Sequence, residues 1–147
     1  MPDVVPSLKL THEAALKALR AGIAKALAIG VPQCITLVDA GGNLFAFVRM
    51  DGARFNAIES SRNKAITAAA GRRPTGLGHP ADEVKLAIVT AGRNINLKGG
   101  IPIMVDGHCV GAVGVGSGTG DQDREVALAA VAGIEGARTD FDFTPAG

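Results

Sequence analysis

One stretch of the chain, CITLVD-AGGN-LFAFVR at residues 34–49, decides the fold. Its two outer runs, Cys34–Asp39 and Leu44–Arg49, are rich in β-branched and aromatic residues, which favour strands. The Ala40-Gly41-Gly42-Asn43 segment between them has the composition of a tight turn. Two strand-like runs around a Gly-Gly-Asn turn predict a β-hairpin.

A second hairpin is predicted further along the chain. Residues 101–105 and 109–115 are apolar and β-rich, and Asp106-Gly107 lies between them as a turn. Strands joined by such short turns pair in antiparallel fashion. Neither hairpin is compatible with a parallel nucleotide-binding unit.

Helices are expected around the hairpins, at residues 11–29, 55–70, 82–91 and 121–136. The first has Thr11 as a candidate N-cap and Gly30 as its stop. Its expected buried stripe is Leu16, Leu19, Ile23 and Leu27. The expected stripe of the second helix is Ile58, Ser61, Ala65 and Ala69. The polar tail, residues 137–147, is expected to add little.

The element order is therefore α-β-β-α-α-β-β-α, which predicts an α+β fold with helices on an antiparallel sheet. The length of 147 residues fits a single domain, residues 1–147, with its core at about 11–136. The chain has no Trp, no Tyr and only five Phe, so its core must be packed from Ala, Val, Ile and Leu.

Composition excludes several classes of function. The net charge is +1 and there is no basic run, which argues against a nucleic-acid partner. No apolar run has transmembrane length, and the N-terminus lacks the pattern of a secretory signal. We therefore expect a cytoplasmic protein without a membrane partner. Cys34 and Cys109 are far apart and are expected to be buried, reduced thiols.

The loop Gly116-Ser117-Gly118-Thr119-Gly120-Asp121 allows two interpretations. Glycines before a helix let backbone N–H groups approach an anion, which Thr119 would also contact. However, Asp121 and Asp123 fall in the first helical turn, where carboxylates cap the N–H groups and repel anions. A capped structural turn is the favoured interpretation.

Other residues are candidates for binding an anionic ligand. Lys98 precedes Gly99 and Gly100, an arrangement that suits a carboxylate but also fits a solvated turn. Arg49, at a strand end, would hold a carboxylate bidentately or pair with Asp51 or Glu59. Lys64, and Thr75 in the loop after the second helix, complete the candidate ligand-binding set.

Two residues are candidates for acid–base chemistry. Glu59, if partly buried, would act as a base, although a surface or ion-paired role is the simpler interpretation. His79 lies between Gly78 and Pro80 in a loop and would shuttle a proton or ligate a heme iron. His12, His79 and His108 show no metal-binding spacing.

An ordered series of motifs resembles the GlcG/HbpS family, which includes the C-terminal domain of PduO-type corrinoid adenosyltransferases. The resemblance spans residues 11–134, nearly the whole chain. The motifs that carry it are Asp39-x-x-Gly42-x-Leu44, Arg49-Met50-Asp51-Gly52-Ala53, Asn63-Lys64-Ala65-x-Thr67-Ala68, Gly99-Gly100-Ile101-Pro102-Ile103, Val110-Gly111-Ala112-Val113-Gly114-Val115 and Asp121-Gln122-Asp123.

The resemblance implies a profilin-like fold with five antiparallel strands flanked by helices. The residues themselves indicate four strands, so the fifth would lie near residues 88–96. The resemblance also implies self-association into dimers or larger symmetric assemblies, and a tetrapyrrole ligand, heme or a corrinoid. With heme bound, His79 would be the metal ligand.

Three hypotheses follow. The first is an oligomeric small-molecule-binding protein for heme, a corrinoid or a related cofactor. The second is a cofactor-independent lyase or isomerase of a catabolic pathway, acting on a small aromatic carboxylate, with Arg49 or Lys98 as its anchor and Glu59 or His79 moving protons. The third is a non-catalytic accessory scaffold.

Overall fold

The computed structural model describes residues 1–147 and contains four helices and four strands. In chain order they are α1 (His12–Ile29), β1 (Cys34–Asp39), β2 (Leu44–Arg49), α2 (Ala57–Gly71), α3 (Pro80–Val89), β3 (Gly100–Val105), β4 (His108–Gly116) and α4 (Gly120–Ala132).

The four strands form one antiparallel sheet in the order β2-β1-β4-β3. The α+β class and both hairpins are confirmed. The fifth strand expected near residues 88–96 is absent, because this segment is the end of α3 and a turn. There the Thr90 hydroxyl donates to the Leu86 carbonyl and accepts from the Asn94 N–H, which holds the chain in a compact turn.

The helices cover both faces of the sheet. Ile35 and Leu37 of β1 pack in one cluster with α1 and α4, whereas Val38 packs in a second cluster with Ala65 and Ala68 of α2. Alternate side chains of a strand point to opposite faces, so α2 lies on one face and the α1–α4 pair on the other.

The buried stripe of α1 differs from the expected one. The N-cap at Thr11 and the left-handed stop at Gly30 are confirmed. However, Leu16 is 38% and Leu27 69% exposed, and Leu19 and Ile23 are partly buried. The buried positions are instead Ala15, Ala18, Gly22 and Ala26. Small residues are required there because α1 lies close to α4 and the sheet, with Ala130 and Ile35 against Gly22.

Two further expectations need correction. Ser61, Ala65 and Ala69 of α2 are buried as predicted, but Ile58 is exposed. The C-terminal tail does contribute, because Phe141 and Phe143 pack against the main core. The Arg124 guanidinium also lies 4.4 Å from the centre of the Phe143 ring, a cation–π contact.

The two cysteines are free thiols, as predicted, but only Cys34 is fully buried, and Cys109 is partly exposed. Burial raises the pKa of the Cys34 thiol. None of the helices combines the length and the hydropathy needed to cross a membrane.

The first hairpin turn is stabilised by the Asp39 carboxylate, which accepts hydrogen bonds from the Gly41 and Asn43 N–H groups at 2.9 Å. These bonds, the one from Asn43 first, hold the pKa of Asp39 below its usual range. We expect Asp39→Ala to lower the free energy of unfolding by about 1 kcal/mol, the net value of a typical hydrogen bond.

The matched control for this prediction is Asp39→Asn, which keeps an acceptor but cannot ionise. A carboxyl with a lowered folded-state pKa stabilises the fold above its unfolded pKa, and this contribution disappears as the pH falls through the folded pKa. In urea unfolding, the advantage of the wild type over Asp39→Asn should therefore shrink on acidification. An advantage independent of pH would contradict this assignment.

Candidate functional site

Helix α2 lies unusually close to the sheet because glycines face it. A Cβ atom at Gly114 would overlap the Ser61 carbonyl oxygen and lie 2.5 Å from the Ala65 nitrogen. A Cβ at Gly100 would collide with the Lys64 carbonyl oxygen, and one at Gly116 would lie 2.8 Å from the Ser60 hydroxyl. We call Gly100, Gly114 and Gly116 the glycine strip.

This close approach places one polar stripe of α2 over the end of β4. Asn56, Ser60 and Lys64 are spaced four residues apart and therefore share a helix face. They line a cavity of about 140 Å³, which we call the Lys64 niche. Its complete lining is Arg54, Asn56, Ala57, Ser60, Lys64, Leu97, Ser117, Gly118 and Asp123.

A buried ion pair forms one wall of the niche. The Lys64 Nζ lies 2.8 Å from the Asp123 Oδ2, and both side chains are at most 5% exposed. Lys64 also donates to the Val115 carbonyl at 2.8 Å, and the Asp123 Oδ1 accepts from the Gly118 N–H at 2.9 Å. The pair therefore ties α2 to the end of β4 and to the start of α4.

Arg54 and Ser117 form another part of the wall. The Arg54 N–H donates to the Ser117 Oγ at 2.9 Å, and its guanidinium donates to the Ser117 carbonyl at 3.3 Å. Ser117 adopts a φ of 93°, a conformation that favours glycine. Such strained residues persist only where the surroundings hold them in place.

The loop after β4 is a capped structural turn, as the favoured interpretation predicted. The Thr119 side chain accepts from the Gln122 N–H, and the Gln122 side chain accepts from the Thr119 N–H. Lys98 forms an exposed ion pair with Asp121 at 2.9 Å, which holds the pKa of that carboxyl below its usual range. Thr119 and Lys98 thus already have partners beside the niche.

Thr75, Gly99 and Gly100 support the niche rather than line it. The buried Thr75 hydroxyl donates to the Leu97 carbonyl and accepts from the Gly100 N–H. Gly99 has a φ of 126°, and a Cβ there would lie 2.9 Å from that of Asp123. These residues fix the backbone that follows Leu97.

The remaining predicted site residues lie elsewhere. Arg49 is exposed at the end of β2 and lines a shallow depression of about 500 Å³, formed by residues 49–55. Its expected ion pair with Asp51 or Glu59 is absent. Glu59 is exposed rather than partly buried. His79 is exposed as the N-cap of α3, where its Nδ1 accepts from the Ala81 N–H at 3.3 Å.

A second concave surface lies beside α3. It has a volume of about 370 Å³ and a mostly apolar wall, and we call it the α3 groove. Its lining residues are Pro80, Glu83, Val84, Ala87, Ile95, Asn96 and Leu97. On α3, Val84 is 61%, Ile88 76% and Val89 81% exposed, so this helix presents apolar side chains to solvent.

Sequence analysis did not identify Arg54, Asn56 and Ser60, named Ser117 only as part of the loop after the predicted strand, and treated Asp123 only as a capping residue. The spacing of Asn56, Ser60 and Lys64 was a usable signal, because it places three polar groups on one helix face. No group of three or more His, Cys, Asp or Glu side chains is arranged to hold a metal ion.

Comparisons with known proteins agree on one family. The family model described as "Haem degrading protein HbpS-like" matches residues 10–132. An uncharacterised 15.0 kDa protein from the dhaT-dhaS intergenic region of Citrobacter freundii is 38% identical, over 83% of this chain and 89% of its own length. Protein GlcG of Escherichia coli K12 is 45% identical, over 55% of this chain and 61% of its own length.

Solved structures agree with these matches. Protein ORFY of Klebsiella pneumoniae superposes with a TM-score of 0.84 at 30% identity, covering 90% of this chain and 95% of its own. The PduOC:heme complex superposes with a TM-score of 0.81 at 28% identity, covering 90% of this chain and 99% of its own.

The buried pair predicts a specific stability pattern. Lys64→Met leaves an uncompensated buried carboxylate, and we expect it to lower the free energy of unfolding by about 3 kcal/mol. Adding Asp123→Asn removes that charge and keeps an oxygen that accepts from Gly118. The double variant should therefore be more stable than Lys64→Met alone when measured by urea unfolding. If the two effects simply add, the ion pair is not the stabilising contact.

Proposed function

The chain belongs to the HbpS-like family, and on that premise we propose that it binds heme or a related tetrapyrrole in the α3 groove. One observation carries this proposal. The superposition on the PduOC:heme complex covers 99% of that chain, so the domain that holds heme there corresponds to nearly this whole fold.

The chemistry of the α3 groove fits a porphyrin face. Its wall is mostly apolar, and Val84 and Leu97 are more than half exposed there. Covering apolar surface of this kind is favourable by roughly 25 cal/mol per Å². The groove lacks an aromatic wall, so aliphatic contacts would hold the ring.

Charged residues near the groove suit the propionates of heme. Arg73 lies 3.6 Å from the lining residue Glu83, and its side chain is 61% exposed. Lys98 follows the lining residue Leu97 and is also exposed, and it would have to leave Asp121 to bind a propionate. Guanidinium and ammonium groups of this kind are the usual partners of carboxylates.

His79 is the residue proposed to hold the heme iron, because it directly precedes Pro80, which lines the groove. Its Nδ1 accepts a hydrogen bond from Ala81, which places the proton of the neutral ring on Nε2. Ligation of the iron through Nε2 requires that proton to move to Nδ1. Nδ1 could then no longer accept the hydrogen bond from the Ala81 N–H, so heme binding would break the N-cap of α3. Bound heme would supply a redox-active iron, and the chain would supply the groove, the propionate partners and this imidazole.

The one-sided shape of the groove favours self-association. A groove that covers one face of a porphyrin leaves the other face open, and Ile88 and Val89 beside it are exposed. Large exposed apolar surfaces commonly mark interaction sites. We therefore propose that a second copy of the chain docks against α3 and encloses the ligand.

Hemin titration of the apo protein tests these proposals. We expect the broad Soret band of free hemin to shift and sharpen on binding, and this change to be lost or altered in His79→Ala, because the iron loses its imidazole ligand. Val84→Asp should weaken binding roughly tenfold or more, since it places a charge in the apolar groove. Native mass spectrometry of the same samples reports the heme stoichiometry and the oligomer. Cobalamin in a parallel titration tests the corrinoid alternative.

His12→Ala and His108→Ala are the matched controls, since they change the two other histidines, which are both exposed. They should bind hemin as the wild type does. A hemin Soret band that the wild type leaves unchanged would refute heme binding. A Soret change in both His79→Ala and Val84→Asp equal to that of the wild type would refute the α3 groove as its site.

A further inference from the structure

We infer that the Lys64 niche is a second binding site, separate in chemistry from the α3 groove, for a small carboxylate that carries a neighbouring hydroxyl or carbonyl oxygen. Its lining contains the cations Arg54 and Lys64 and one carboxylate, Asp123. The nearby ion pair of Lys98 and Asp121 is neutral overall. The niche therefore has one excess positive charge, which suits a monoanion.

Hydrogen-bonding capacity at the niche is unused. An ammonium has three N–H donors, and Lys64 uses two of them, on Val115 and Asp123. The Arg54 guanidinium makes one hydrogen bond, to the Ser117 carbonyl, of the five that it can donate. Two cations with free donors on one cavity can hold both oxygens of a carboxylate.

Neutral polar groups beside these cations also lack partners. Asn56 is the N-cap of α2 but makes no side-chain capping bond, and the Ser60 hydroxyl has no hydrogen-bond partner. Buried Gln33, whose amide is unpaired, lies behind Gly118 at the niche. Asn56 is exposed and Ser60 is half-buried, so both side chains are open to solvent and to a ligand. Polar groups in a protein interior are normally satisfied, so the unpaired amide of Gln33 is the buried exception beside the niche and favours a polar ligand there.

The volume of the niche and the backbone strain at Ser117 restrict the class of ligand that fits it. The volume of about 140 Å³ is close to that of a cavity of about 150 Å³ that holds benzene, so a carboxylic acid of about six non-hydrogen atoms fits the niche. Leu97 provides one apolar wall for a short carbon chain. The strained φ of Ser117 is typical of ligand-binding positions. The carboxylate would lie between Arg54 and Lys64, with the neighbouring oxygen at Ser60 and Asn56.

Lactate is a suitable probe because it has three carbons and a hydroxyl beside the carboxylate. Binding to the heme-free chain is measured by isothermal titration calorimetry and by chemical-shift changes, with sodium chloride as the ionic-strength control. We expect saturable binding of lactate, weaker binding of propionate, which lacks the hydroxyl, and none of methyl lactate, which lacks the charge.

Variants assign the site. Arg54→Met should weaken lactate binding roughly tenfold or more, the equivalent of about 1.4 kcal/mol. Ser60→Ala should reduce the preference for lactate over propionate without unfolding the chain. Glu59→Gln is the matched control, because Glu59 lies on the same helix, is exposed and does not line the niche.

Two results would overturn the inference. One is the absence of saturable lactate binding to a folded wild-type chain. The other is binding that Arg54→Met and Ser60→Ala leave unchanged, which would place the carboxylate elsewhere. Neither result bears on heme, because the hemin titration uses variants of the α3 groove.

Discussion

The contact between α2 and the glycine strip is the constraint on which the rest of the structure depends. No side chain fits at Gly114, because its Cβ would overlap the backbone of α2. The backbone of α2 packs directly against the backbone of the sheet. This close packing brings Lys64 within reach of Asp123 on α4 and of the Val115 carbonyl on β4. The buried ion pair and the niche both depend on this approach.

The segment between α3 and β3 connects the two proposed sites. Leu97 lines both the α3 groove and the Lys64 niche. Its carbonyl accepts from Thr75, and the Ile95 N–H donates to the Thr67 hydroxyl of α2. A ligand that moved this segment in one site would therefore change the shape of the other. Each ligand would then bind one position of this segment more tightly than the other, and this difference in affinity would couple the two sites.

Local signals predicted most of the fold and little of the site. The Gly-Gly-Asn and Asp-Gly turns correctly predicted both hairpins, and Thr11 and Gly30 correctly predicted the two ends of α1. The fifth strand expected near residues 88–96 from the family resemblance is absent, because α3 continues to Val89 and the Thr90 hydroxyl bonds to Leu86 and Asn94 in a turn. The stripe of α1 was wrong because close packing selects Ala and Gly over Leu. The niche brings together α2, α4, Leu97 and the loop after β4, and such long-range contacts have no local signature in the sequence.

Replacement of one glycine tests the central claim most directly. Gly114→Ala adds a single methyl group that would push α2 off the sheet, so we expect a loss of about 3 kcal/mol in the free energy of unfolding. Gly71→Ala is the control, because its added Cβ would make only ordinary contacts with Arg73 and alanine favours helices. A large loss for Gly114→Ala with no loss for Gly71→Ala supports the account. A Gly114→Ala protein as stable as the wild type would contradict it.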